Sequence, residues 1–234
     1  MLEIVYEDNH LLVVVKPPNV LTQGDKTGDC SLLDYAKRYI KEKYNKPGEA
    51  YVGLVHRLDR PVGGLVVFAK TSKAASRLSE QLRTHKMARE YLAVVENATI
   101  AETQTIKNAI IKDDVTGNVK VVSIDTQAAQ QAELNYNLLQ SDAVSNTALI
   151  AVKLKTGRKH QIRVQMANAG HPLLYDMRYG HGVKGKSIAL FGAVLRLVHP
   201  TTKENMTFTA KPTVDAFAQY QTLINVFLEK CKEV

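Results

Sequence analysis

The feature that most constrains this 234-residue chain is its set of short apolar runs. LLVVV at 11–15, LVVFA at 65–69, EYLAVV at 90–95 and ALIAVKL at 148–154 are rich in β-branched residues. Runs of this length, bounded by turn-forming or charged residues, read as strands. None approaches the roughly 18 residues that a membrane-crossing helix needs. Further strands are expected at 2–6, 51–56, 188–197 and 206–210. The polar stretch 97–147 reads as short strands and turns, with Gly117-Asn118 marking one turn.

Helical signals lie between the runs. Ser31, with Asp34 three residues on, has the form of a capping box. The helix it opens should turn Leu33, Ala36 and Ile40 inward and stop before Lys46-Pro47-Gly48. Ser72 is the expected cap of a second helix with Ala75, Leu78 and Leu82 inside. KHQIRVQMANAG, after the break at Thr156-Gly157, reads as a third, stopped by Gly170 and Pro172. Thr213 opens the last, with Phe217, Tyr220, Ile224 and Phe227 buried. Strands and helices mix without sustained βα alternation. The expected class is therefore α+β, with a mixed, mostly antiparallel sheet flanked by helices. No repeat, linker or low-complexity tract appears, so residues 1–234 read as one continuous domain.

Composition narrows the function. With 45% hydrophobic and 23% charged residues the chain is globular, not disordered. Cys30 and Cys231 lie at opposite ends and no CxxC pair exists, so neither a disulfide framework nor a cysteine zinc site is implied. The start, MLEIVYEDNH, carries acid where a signal peptide would carry positive charge, so a cytoplasmic protein is expected. Lys and Arg outnumber Asp and Glu by 31 to 23, a net +8 that points to a polyanion partner. The basic residues gather in three stretches: Arg83, Lys86 and Arg89; Lys155, Arg158, Lys159 and Arg163; Lys184 and Lys186. Brought together, they would line a phosphate-tracking groove.

Three segments carry candidate chemistry. In the first, His56 to Gly64, Asp59 lies between Arg57 and Arg60 on a Pro/Gly-shaped loop between two apolar runs. Two adjacent cations favour an ionised carboxylate, which can act as nucleophile or base. A plain loop ion pair is the alternative. In the second, TGRKHQIR at 156–163, a strand turns into a helix whose N-terminus carries Arg158, Lys159, His160 and Arg163. That end suits an anion, with Arg163 pointing inward and Lys159 toward solvent; the alternative is a solvated basic face. In the third, MAREYLAVV, Tyr91 is either a core tyrosine or a plate for stacking a nucleobase. A fourth segment, GHGVKGKS at 180–187, matches the phosphate-loop pattern letter for letter. The segment after it reads as a strand where that motif requires a helix. A basic hairpin loop is the better reading.

Together these segments resemble the motifs of the RluA-like pseudouridine synthases. HRLDRPVGGLVVFAKTS is similar to that family's catalytic motif, MAREYLAVV to its second and LKTGRKHQIRVQMANAGHPLLYDMRYG to its third. EDNHLLVVVKPPNVLTQ and FGAVLRLVHPTTKENMTFTAKP also resemble family elements, so the likeness runs from about Ile4 to Pro212. The chain departs from the pattern at Val62, where Thr is usual, at Gly63, where Ser is usual, and at Tyr175, where Gly is usual. The resemblance implies a pseudouridine synthase domain with a central catalytic cleft and without the small N-terminal RNA-binding domain of many relatives.

It also implies isomerisation of uridine to pseudouridine in ribosomal or transfer RNA, by a monomer that needs no metal, redox cofactor or ATP. Asp59 would be the essential carboxylate, Arg163 would pair with it, and Tyr91 would stack on the base. Arg57 would fill the gap left by a flipped nucleotide, and His56, Arg60, Arg158, Lys159 and His160 would join it in contacting RNA. Two rivals stand beside this reading: a catalytically silent RNA-binding factor on the same scaffold, and a nucleotide hydrolase using residues 180–187.

Overall fold

The computed structural model describes residues 2–233. In chain order the elements are β1 (Glu3–Glu7), β2 (Leu11–Lys16), α1 (Leu32–Lys43), β3 (Gly53–Leu54), β4 (Gly63–Ala69) and α2 (Ser72–Arg83). They continue with β5 (Ala88–Glu96), β6 (Thr103–Lys112), β7 (Val119–Val122), β8 (Gln130–Asp142), β9 (Thr147–Leu154) and α3 (Gln161–Asn168). Last come β10 (Leu190–Val198), β11 (Asn205–Thr209), a 3-10 segment (Asp215–Tyr220) and α4 (Gln221–Lys232). The class is α+β, with mostly antiparallel strands and flanking helices. The chain divides into two compact units, each assembled from separated stretches. The first comprises the chain up to Arg89, Gly192–Pro212 and the end from Phe227; the second comprises Glu90–Phe191 and Thr213–Val226.

In the first unit the strand order is β1-β2-β4-β10, with β3 beside β4 and β11 beside β10. Strands β2 and β4 are buried along their whole length, as continuous apolar runs require. Helix α1 has the capping box expected at Ser31 and Asp34. Its buried stripe is Leu32, Ala36 and Ile40, so Leu32 takes the place expected of Leu33. The spacing of four residues selects Leu32 as the partner of Ala36. In α2 the cap is Thr71 rather than Ser72, and its hydroxyl accepts from Ala74 N. The inward residues are Ala74, Leu78 and Gln81, not Ala75 and Leu82. Gln81 is buried because its amide pairs with the Val198 backbone, Nε2 donating to O at 2.7 Å and Oε1 accepting from N at 2.9 Å. A polar residue thus occupies a core position, which an apolar-periodicity argument misses.

Two further expectations change here. The strand expected over 51–56 shrinks to Gly53–Leu54, while Gly63 and Gly64 lie inside β4 rather than in the loop. Gly64 has φ +130°, and a Cβ there would stand 2.4–2.6 Å from the Gly192 backbone. Only glycine allows both the conformation and the close approach.

The second unit has the order β5-β9-β8-β6-β7, every neighbouring pair antiparallel. The stretch expected to hold short strands contains a strand of 10 residues (β6) and one of 13 (β8). β8 buries Ala132, Leu134 and Tyr136 on one face and turns polar residues outward, so average polarity concealed a period of two. The turn at Gly117-Asn118 is present; Asp113 N donates to Asn118 O and Gly117 has φ +69°.

Helix α3 starts at Gln161, later than the Lys159 expected. The Gln161 side chain accepts from Thr156 Oγ1 and Arg158 N, holding the preceding residues in a turn. The last helical region opens as a 3-10 segment, and Leu228 is buried while Phe227 is only half-buried. The segment after residues 180–187 is strand β10, so the helix that a phosphate loop requires is absent there. No helix among the described residues is long and apolar enough to cross a membrane.

Candidate active site

The loop carrying Asp59 is held through its main chain. Val62 N donates to Asp59 O at 3.0 Å and closes the turn. Leu58 is pinned on both sides by Thr22, whose hydroxyl donates to Leu58 O at 2.8 Å and accepts from Leu58 N at 3.2 Å. Leu58 and Val62 are buried and anchor the turn, while Asp59 is half-buried and Arg57 and Arg60 are exposed. Val62, at a position where a hydroxyl was expected, thus contributes packing and a backbone bond.

Lys16 completes this support, and nothing singled it out beforehand. It ends the buried run LLVVVK and is itself 0% exposed. Its ammonium donates to Pro17 O at 3.1 Å, Val20 O at 2.7 Å and Arg60 O at 3.0 Å. Burial pulls its pKa down to about 7, opposed by the Asp59 charge and assisted by that of Arg60. Three acceptors are the full complement of a protonated amine, so in its charged form Lys16 is a buried cation fastened to the residue after Asp59.

His56, expected among the RNA contacts, lies in the interior at 7% exposure. Its Nε2 accepts from Val67 N at 3.2 Å, so the neutral ring carries its proton on Nδ1. Burial, with the nearby Arg89 charge, pulls its pKa down to about 3. Arg60 Nη2 meets Asp29 at 2.6 Å and Arg60 Nε donates to Asn19 O at 3.2 Å, which ties the 19–29 loop to the turn. Arg57 Nη1 donates to Gln23 Oε1 at 3.4 Å.

In the second unit, Tyr91 lies in β5 opposite Val152 of β9 and is 6% exposed. Helix α3 is buried from Gln161 to Met166, and Gln161, Arg163 and Gln165 each donate or accept a side-chain hydrogen bond there. Gln165 Nε2 donates to Asn108 Oδ1 at 2.9 Å, and to Ala132 O at 3.2 Å. Arg163 makes a two-pronged ion pair, Nε to Asp176 Oδ2 at 2.8 Å and Nη2 to Asp176 Oδ1 at 2.7 Å. Burial alone would raise the pKa of Asp176; the bonds and charge of Arg163, with N–H groups of Arg178 and Tyr179, reverse this and hold it low. The Tyr179 ring lies 5.2 Å from the guanidinium carbon. Arg158 and Lys159 are exposed; Arg158 Nε donates to Gln131 O and Lys159 Nζ to Gly117 O. His160 is half-buried, with Nδ1 2.7 Å from Tyr179 Oη.

Sequence reasoning named Arg163 but passed over Asp176 and Tyr179 as site residues. Their signal was faint: two side chains able to grip a guanidinium, in a loop 13 to 16 residues downstream of it. The basic stretches are partly neutralised, with Arg83 on Glu80, Lys155 on Glu133 and Lys186 on Asp215.

The model of the family described as RNA pseudouridylate synthase matches residues 10–168, a span that contains Asp59, Tyr91 and Arg163. The chain belongs to that family. It is an RluA-like member, as its motifs implied. It is 35% identical over 205 residues to YhcT of Bacillus subtilis, named an uncharacterized RNA pseudouridine synthase, covering 87% of this chain and 66% of that one. It is 31% identical over 246 residues to tRNA pseudouridine synthase C of Haemophilus ducreyi, covering 97% of this chain and 96% of that one. The chain thus spans about two thirds of the first relative and nearly all of the second. Among solved structures, human RNA pseudouridylate synthase domain containing 4 shares the fold, with a TM-score of 0.75, 21% identity, and coverage of 97% of this chain and 93% of that one.

Proposed function

We propose that this pseudouridine synthase family member isomerises specific uridines in ribosomal or transfer RNA, with Asp59 as the essential carboxylate. The observation that carries the reading is the Asp59 turn. A carboxylate stands on a backbone locked by Lys16, Thr22 and Val62, in a segment matched by the family model. A rigid frame around a half-exposed acid is what a reaction at one sugar or base carbon needs. The target uridine leaves its stack at a cost of a few kcal/mol, which an aromatic plate and cations compensate. Tyr91 is the proposed plate and Arg163 the cation acting with Asp59. Arg57, Arg60, Arg158 and Lys159, all exposed, are the proposed RNA contacts, together with the half-buried His160, and His56 is proposed to act from the interior. The reading takes residues 1–234 as one catalytic domain, working in the cytoplasm as a monomer without a cofactor.

Asp59→Asn is expected to abolish pseudouridine formation in purified RNA, with RNA affinity kept within about threefold. Full activity in that variant would refute the reading. The departures at Val62 and Gly63 favour a rival, a silent RNA-binding factor. Site-specific pseudouridine formed by the pure protein eliminates it.

A further inference from the structure

Arg163 is restrained by an ion pair and by an aromatic ring, and the residues that supply them, Asp176 and Tyr179, lie beyond the segment matched by the family model. Asp176 is 0% exposed, and both its oxygens are in use. Oδ2 accepts from Arg163 Nε, and Oδ1 accepts from Arg163 Nη2, Arg178 N at 2.9 Å and Tyr179 N at 3.2 Å. Tyr175 precedes it with φ +64°, a left-handed conformation that costs a non-glycine residue on the order of 1 kcal/mol. That strained residue sets the turn in which Asp176 N donates to Leu173 O.

Tyr179 supplies the other constraint. The guanidinium carbon lies over its ring, and its hydroxyl accepts from Val119 N at 2.9 Å and meets His160 Nδ1 at 2.7 Å. The ring also packs on the small core of Ile110, Val119, Ala132 and Val164.

A buried Arg–Asp pair is a poor device for stability alone, because well-packed apolar residues do as well or better. Two parallel hydrogen bonds fix the plane of the guanidinium, and an aromatic ring beside it limits where the head group can swing. Such a double restraint selects orientation. We propose that Asp176 and Tyr179 are positioning residues that clamp Arg163, so that its guanidinium is presented in one orientation to the reaction. This inference rests on the function proposed above for Arg163.

The test combines single-turnover pseudouridine formation, RNA affinity and the NMR signal of the Arg163 side-chain Nε–H. In the wild-type protein that proton should exchange slowly. Asp176→Asn should lower the single-turnover rate about 100-fold, with RNA affinity within about threefold and the Nε–H signal lost to exchange. Asp176→Glu should recover part of that rate. Tyr179→Leu should cost about tenfold, while Tyr179→Phe, which keeps the ring, should stay within about threefold. If Asp176→Asn does not fold, Tyr179→Leu against Tyr179→Phe decides. Wild-type rates in folded Asp176→Asn or Tyr179→Leu overturn the clamp, as does equal loss of rate, affinity and thermal stability without recovery by Glu. A wild-type protein that makes no pseudouridine refutes the function instead; the Nε–H measurement still judges the clamp, which an unprotected proton overturns.

Discussion

The two units hold the side chains proposed for the reaction through different sets of bonds. Around Asp59 one set of bonds fixes the main chain: Lys16 to the Arg60 carbonyl, Thr22 to both backbone groups of Leu58, and the His56 ring to Val67 N. Around Arg163 the contacts go to the side chain, from Asp176 and Tyr179. The difference follows from the length of what is held. An aspartate carboxyl sits one carbon from its Cα, so fixing the backbone nearly fixes the oxygens. An arginine carries about 2 kcal/mol of rotamer entropy in its stem, so its head must be gripped directly.

If that contrast is right, the first unit is sensitive to changes that move backbone. The largest effect is expected from Gly64→Ala, which meets the Gly192 backbone and forbids φ +130°. A loss of about 3–4 kcal/mol in denaturant unfolding is expected. A loss below about 1 kcal/mol would break the contrast.

Lys16→Met comes next. It strands three carbonyls and should cost about 2–3 kcal/mol, with pseudouridine formation falling in proportion beyond the folding loss. The pH dependence carries a sign. The folded pKa of about 7 lies below the ordinary 10.5, so the unfolded chain binds more protons between these values. Wild-type stability should therefore rise with pH across that window, and Lys16→Met should flatten the rise.

The smallest effect tests an exception. Glu7, in the first unit, is held by side chains as Arg163 is. Burial would raise its pKa, but bonds from Lys43, Lys70, Tyr39 and Tyr44 bring it to about 2. Its contribution should be complete above about pH 4.5 and lost as pH falls toward 2. Glu7→Gln should remove about 1–2 kcal/mol at neutral pH and flatten the acid limb of the stability curve. An unchanged acid limb would show that this anchoring adds nothing.

Local signals were legible in proportion to how local their physics is. The Ser31–Asp34 box involves four consecutive residues and was readable directly. The apolar runs announced β2, β4, β5 and β9, because a strand buried on both faces is built largely from apolar residues. The Asp59 loop stood out because Arg57, Asp59 and Arg60 interrupt two apolar runs in the sequence. The α2 stripe was misread because Gln81 is buried, and its burial depends on Val198, 117 residues away. Strand β8 was hidden because half of its residues face outward.

The order of residues by itself determined the α+β class, the family motifs and the candidacy of Asp59, Tyr91 and Arg163. Each depends on neighbours in the chain or on a pattern that neighbours repeat. Only the tertiary structure decided that Lys16 fastens the Asp59 turn and that Asp176 with Tyr179 grips Arg163. A buried charge is tolerated only where partners converge on it, and those partners come from parts of the chain whose spacing in sequence carries no trace of their meeting.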